Sequence, residues 1–131
     1  MSLQIYINGT FYAKEDAKIS VYDHGFLYGD GVFEGLRCYG GKVFRRAENL
    51  DRWGDSARAS CLEIRIAREE MVSAVNGTLA KNGISDGYIR LVVSRGAGSL
   101  GIDPTRCSNP QVIVIADSIT LYPEEYYEQG M

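Results

Sequence analysis

Histidine is almost absent from this 131-residue sequence, with His24 the only one, which excludes a metal centre built from several imidazoles. Cysteine is scarce too. Cys38, Cys61 and Cys107 are odd in number and form no Cys-x-x-Cys pair, so neither a disulfide framework nor a zinc site is supported. Lysine occurs only at Lys14, Lys18, Lys42 and Lys81. Positive charge is not in excess: 14 Lys plus Arg against 17 acids leave a formal net charge of −3. With no basic stripe to neutralise phosphates, nucleic acid is not an expected partner. No apolar run approaches the roughly 18 residues of a membrane span, so no membrane partner is expected either. No charged-then-apolar leader opens the chain, and the cytoplasm is the expected location.

What is present suits one globular domain over residues 1–131. Hydrophobic residues make up 45% and charged residues 24%. A chain of this length buries roughly two-thirds of its unfolded surface and needs no metal or disulfide to hold it.

Patterning divides the chain without repeats or linkers. Ile5 and Ile7 alternate with polar neighbours, Asn8-Gly9 is a strong hairpin turn signal, and Phe11 lies on the return. Gly25, Gly29 and Gly31 fall within seven positions, and residues 25–31 are expected to form a loop that uses their backbone freedom. Phe33 to Tyr39 is predicted as a strand, Gly40-Gly41 as a turn and Lys42 to Arg45 as the returning strand. After Arg46, Leu50, Trp53, Ala57 and Cys61 step by three and four, the stripe of an amphipathic helix. Met71, Val72, Val75 and Leu79 form a second stripe, ended by Lys81 and Gly83. Tyr88 to Ser94 and Gln111 to Ala116 are β-branched strands joined by a connection too short for a crossover helix, so they are predicted antiparallel. The order β-β-β-β-α-α-β-β predicts an α+β domain, an antiparallel sheet with two helices packed on it.

Several motifs invite chemistry. Gly96-Ala97-Gly98-Ser99-Leu100-Gly101 matches G-x-G-x-x-G, but no helical stripe opens there to hold a pyrophosphate, so a dinucleotide site is rejected. Alternation puts Phe33, Gly35, Arg37 and Tyr39 on one strand face, and Tyr88, Arg90 and Val92 on another. If the two faces coincide, arginine forks, phenols and a side-chain-free glycine share one surface suited to a small, partly apolar anion. The alternative is a solvated face with its arginines paired to acids such as Glu34. Arg52 stands beside the helical stripe with Glu48 at i−4, the spacing of an ordinary surface pair. His24 beside Asp23 has no nucleophile placed near it and is expected to be a structural hydrogen-bonding residue.

The run Asp23-His24-Gly25-Phe26-Leu27-Tyr28-Gly29-Asp30-Gly31-Val32-Phe33-Glu34-Gly35-Leu36-Arg37 resembles the signature of class IV aminotransferases, the fold-type IV pyridoxal-phosphate enzymes. Glu48 to Trp53 with Ser56-Ala57 is similar to that family's E-H-x-x-R-L…S-A helix. Tyr88-Ile89-Arg90 and the loop from Arg95 to Pro104 resemble its branched-chain amino-acid aminotransferases in particular.

The resemblance implies the small N-terminal domain of such an enzyme, exchanging an amino group between leucine, isoleucine or valine and 2-oxoglutarate. Its partners are then small amino acids and 2-oxo acids, and its cofactor pyridoxal 5'-phosphate. It assigns Arg52 to the cofactor phosphate and Tyr28, Phe33, Gly35, Arg37, Tyr88 and Arg90 to the substrate pocket. Leu100 and Ile102 match loop residues that enter the neighbouring subunit's site, which implies a homodimer. Asn49, Trp53 and Gly54 depart from the family pattern without removing a pocket group. None of the four lysines matches the family's Schiff-base lysine, which is expected in a further domain beyond Met131, so the 131 residues alone are expected to be inactive. A D-amino-acid aminotransferase, an aminodeoxychorismate lyase, and a non-catalytic module that binds a small anion or dimerises are the alternatives.

Overall fold

Asn8 and Gly9 take φ of +51° and +94°, and this turn folds β1 (Gln4–Ile7) back on β2 (Thr10–Ala13). The computed structural model describes residues 3–44, 46–59, 68–101 and 110–118. A short 3₁₀ turn, Lys14–Asp16, follows β2. The chain then forms α1 (His24–Tyr28), β3 (Gly31–Tyr39), β4 (Lys42–Phe44), α2 (Arg46–Ala59), α3 (Arg68–Asn82), β5 (Gly87–Ser94) and β6 (Gln111–Ser118).

The strands make one six-stranded sheet in the order β2-β1-β6-β5-β3-β4, with every pairing antiparallel. The α+β expectation is therefore met, including the antiparallel β5–β6 pair. β3 and β4 turn through Gly40 and Gly41 at φ of +58° and +80°. The β4 pairing covers only Arg37, Cys38 and Tyr39, so the Gly31–Leu36 part of β3 borders no strand on that side among the described residues.

Alternation decides what the sheet buries. Val32, Leu36 and Cys38 of β3, Ile89, Leu91 and Val93 of β5, and Val112, Val114 and Ala116 of β6 form one side of the core. Leu50, Trp53 and Ala57 of α2 and Met71, Val75 and Leu79 of α3 form the other, so both predicted stripes face inward; Cys61 lies outside the described residues. α3 stops in a double hydrogen-bonded cap around Gly83 at φ +61°: Gly83 N–H donates to Ala80 O (3.2 Å) and Ile84 N–H to Leu79 O (3.1 Å). The Asn82 side chain then ties α3 to β1, accepting from Gln4 N–H (2.6 Å) and donating to Gln4 O (3.0 Å).

The expected loop over residues 25–31 is corrected: its first part is the helix α1. Asp23 caps it by accepting from Gly25 N–H at 2.7 Å, and Gly29, left-handed at φ +68°, ends it. Five residues are too few to display a helical period, which is why patterning misses the element.

Candidate functional site

The helices cover one face of the sheet, and the opposite face carries the predicted residues. Along β3, Val32, Glu34, Leu36 and Cys38 are buried, while Phe33, Arg37 and Tyr39 are exposed and Gly35 partly so. The register sets Phe33 opposite Val92, Gly35 opposite Arg90 and Arg37 opposite Tyr88. On the next strand Ile115 lies opposite Arg90, and Ile113 opposite Val92. The two predicted faces therefore coincide, bringing Phe33, Gly35, Arg37, Tyr88 and Arg90 onto one surface.

Two contacts give that surface its shape. The Arg90 guanidinium lies over the Phe33 ring, 4.1 Å from its centroid, a cation–π contact. The Tyr88 ring lies across Gly35. A methyl group on Gly35 would meet Tyr88 Cζ at 2.9 Å and Cε2 at 3.0 Å, and its hydroxyl oxygen closer still. The missing side chain at Gly35 is thus what lets the phenol cross β3. Phe33, Arg90, Val92 and Ile113, with Ile19 and Phe26 from the preceding segment, line a depression of about 280 Å³. It combines apolar walls with a cation, the lining expected for a small amphiphilic anion. A larger cleft of about 780 Å³ near Lys42, Glu48, Asn76 and Leu79 shares no residue with the predicted pocket.

Arg52 comes from the helix layer, not from this face. Its guanidinium donates to the Glu34 carboxylate, which is buried on the helix side because it alternates with Phe33 and Gly35. The Arg52 side chain remains 67% exposed while that of Glu34 is 9% exposed. A buried carboxylate needs such a partner, and the hydrogen bond to Glu34 raises the Arg52 pKa further above its already high value. Glu34, which patterning offered only as a possible partner for the sheet arginines, instead holds the helical one. Most of the Arg52 side chain stays open to solvent, and an exposed guanidinium suits a phosphate group.

Tyr28 and Leu100 meet each other outside the residues that line the depression, which take in Gly25, Phe26 and Gly29 around Tyr28. The Tyr28 hydroxyl donates to the Leu100 carbonyl, and the Tyr28 ring stands edge-on to His24 at 5.0 Å. His24 is wholly buried with Nε2 2.7 Å from Ser99 O, so it is hydrogen-bonded as expected. Ile102 lies outside the described residues. The Gly96–Gly101 motif opens no helix: Ala97 forms an isolated bridge with Asp23 instead. Patterning missed the supports of this region. Ser94 Oγ donates to Asp23 at 2.8 Å, and Arg95 grips Asp30 through Nε (2.9 Å) and Nη2 (3.0 Å). The acid-then-glycine steps Asp23-x-Gly25 and Asp30-Gly31 were the available signals for a cap and an anchored turn.

Known proteins resemble this chain in sequence and fold. The family described as amino-transferase class IV matches residues 31–130. A protein of Methanocaldococcus jannaschii described as a putative branched-chain-amino-acid aminotransferase is 53% identical over 114 residues, spanning 87% of this chain and 40% of that protein. A D-alanine aminotransferase of Staphylococcus epidermidis is 34% identical over 129 residues, spanning 98% of this chain and 45% of that protein. A solved branched-chain amino acid aminotransferase from T.th., complexed with N-(5'-phosphopyridoxyl)-L-glutamate, superposes with a TM-score of 0.84 at 35% identity, covering 91% of this chain and 41% of that one. The chain thus spans less than half the length of the curated relatives it matches.

Proposed function

The chain belongs to the class IV aminotransferases, and from that premise we propose that it forms the substrate-facing part of a pyridoxal-phosphate-dependent branched-chain amino-acid aminotransferase. The observation that carries this reading is the single surface on which Arg90 stacks on Phe33 while Tyr88 crosses Gly35. The overall reaction passes an amino group from leucine, isoleucine or valine to 2-oxoglutarate, leaving the branched oxo acid and glutamate.

In this reading the sheet face binds and orients. The Tyr88 hydroxyl donates to the substrate α-carboxylate, and Arg37 adds positive charge beside it. An aliphatic side chain packs on Phe33 with Val92 and Ile113. A glutamate side chain instead presents its carboxylate to the N–H groups of Arg90, and Tyr28 joins it by exchanging its bond to the Leu100 carbonyl. One pocket then serves both partners of the exchange.

Arg52 would hold the cofactor phosphate, with its guanidinium bonded to the buried Glu34 carboxylate and its side chain 67% exposed. When bound, pyridoxal phosphate supplies the carbonyl that takes up the amino group and the ring that stabilises charge at the α-carbon. Lys14, Lys18, Lys42 and Lys81 do not line the depression at Phe33 and Arg90. The lysine that works with the cofactor is therefore proposed to lie in a further domain beyond Met131, and residues 1–131 alone to be inactive.

Exposed Val21, Tyr22, Phe26 and Leu100 give an apolar margin beside the site, which supports a homodimer in which Leu100 and Ile102 approach a second copy's pocket. Among the described residues no helix is long and apolar enough to cross a membrane. The cytoplasm is the proposed location, where the buried thiol of Cys38 stays reduced.

The test is substrate selectivity in the intact protein. Arg90→Ala is expected to lower kcat/KM for glutamate about tenfold more than for leucine, the loss of one charge-assisted contact. Equal losses for both substrates would remove Arg90 from the assigned role. The 34% identity to D-alanine aminotransferase supports the second reading, transamination of a D-amino acid. Activity on D-alanine in the absence of activity on L-leucine would establish it in place of the first.

A further inference from the structure

The segment before α1 and the loop after β5 run side by side. His24 N–H donates to Gly96 O at 2.9 Å, Asp23 bridges Ala97, and Gly98 N–H donates to Tyr22 O at 3.1 Å. Among the described residues these backbone ties end at Gly98. Beyond it, the hydrogen bonds that reach Ser99 and Leu100 come from two side chains of α1, the His24 imidazole and the Tyr28 phenol.

Ser99 O can only accept, so Nε2 of His24 carries a proton and donates to it, which leaves Nδ1 as the ring's other polar atom. That Nδ1 is buried and has no hydrogen-bond partner. Leaving a buried polar atom unmatched is costly, and an apolar side chain of similar bulk would avoid the cost. What the imidazole adds over such a side chain is the Nε2–H bond to the loop. Its edge-on contact with the Tyr28 ring couples the same group to the second tether.

We propose that His24 is a positioning residue: it holds Ser99 and Leu100 against α1 and thereby sets where the Tyr28 phenol and the Leu100 side chain stand beside the residues that line the substrate pocket. The role rests on the assignment of the open sheet face as the substrate side. His24 itself touches no substrate and transfers no proton.

The experiment compares His24→Leu, which keeps bulk and removes the donor, with His24→Gln, whose amide nitrogen restores a donor at similar reach. Both are made in the intact protein. Amide hydrogen exchange over residues 96–101 and separate KM and kcat values are the readouts. His24→Leu is expected to speed exchange in this loop at least tenfold and raise KM for glutamate about five- to tenfold, with kcat within about twofold. His24→Gln is expected to recover most of both effects. Unchanged loop exchange in His24→Leu overturns the proposal, as does faster exchange with an unchanged KM. In the latter case Arg90→Ala separates the two ideas: if it raises KM for glutamate, only the role of His24 fails, and if it does not, the assignment of the face fails as well. Should His24→Leu not fold, the ring ¹⁵N spectrum of the unmodified protein decides, because a proton on Nδ1 in place of Nε2 overturns the proposal.

Discussion

Gly35→Ala isolates the feature on which the pocket depends, the passage of the Tyr88 ring over β3. The added methyl would lie 2.9 Å from Tyr88 Cζ, far inside van der Waals contact, but the group it meets is the far end of a rotatable side chain. Tyr88 is expected to swing to another staggered position at a cost of about 1 kcal/mol. Alanine in a strand returns roughly 0.5–1 kcal/mol relative to glycine. The two terms nearly cancel, so Tm is expected to move by no more than about 5 °C. Binding has no such offset. With the phenol displaced, affinity for a carboxylate substrate is expected to fall about tenfold, the scale of one hydrogen bond lost in the pocket. Gly31→Ala is the control. Its methyl would meet the Val93 carbonyl oxygen at 2.7 Å, a backbone atom of the paired strand β5, so the ladder itself must open. That costs about 3 kcal/mol, or roughly 10 °C in Tm. Thermal melting followed by circular dichroism and ligand titration of the intact protein together test the pair. The reasoning is refuted if the two variants melt alike, or if Gly35→Ala binds substrate as tightly as the parent.

Two further outcomes follow from the opposite face of the sheet. Glu34→Gln removes the charge that fixes Arg52, so pyridoxal-phosphate affinity, read by absorbance titration, should fall about three- to tenfold with little change in Tm; an unchanged affinity would detach Glu34 from cofactor binding. Burial pushes the Cys38 thiol pKa up, a backbone hydrogen bond from Gly87 opposes the shift, and the nearby Asp86 charge adds to it. The unfolded chain therefore ionises this thiol first, and its contribution to stability is full below about pH 8.5 and declines as pH rises beyond it. Iodoacetamide at pH 8, followed by mass spectrometry of the peptide containing Cys38, should label that thiol far more slowly in the folded protein than in denaturant, and equal rates would contradict its burial.

The sheet was legible because alternation along β3 and β5 sorts each strand into two faces, and glycine turns and caps mark the ends of the elements. The phase between those strands was not legible. Nothing local in either segment sets Gly35 opposite Arg90, because register arises from the packing of both strands against the helices. Tertiary placement also changed the partner of Arg52. The i−4 spacing proposes Glu48, but the buried Glu34 carboxylate supplies the stronger demand for a cation. Tyr28 shows the same limit: its residue type advertises a donor, yet only the fold reveals that the donor is already given to Leu100. Family likeness named these side chains, and the geometry says how each is held.

The short β4 leaves the outer margin of β3 open from Gly31 to Leu36 among the described residues, and an open margin is a template on which another chain can polymerise. Glu34 sits in the middle of that margin, with its carboxylate turned inward toward the helices. The same acid that steadies an arginine is thus also an inward-pointing charge beside a sheet edge, one of the devices that discourage edge-to-edge pairing.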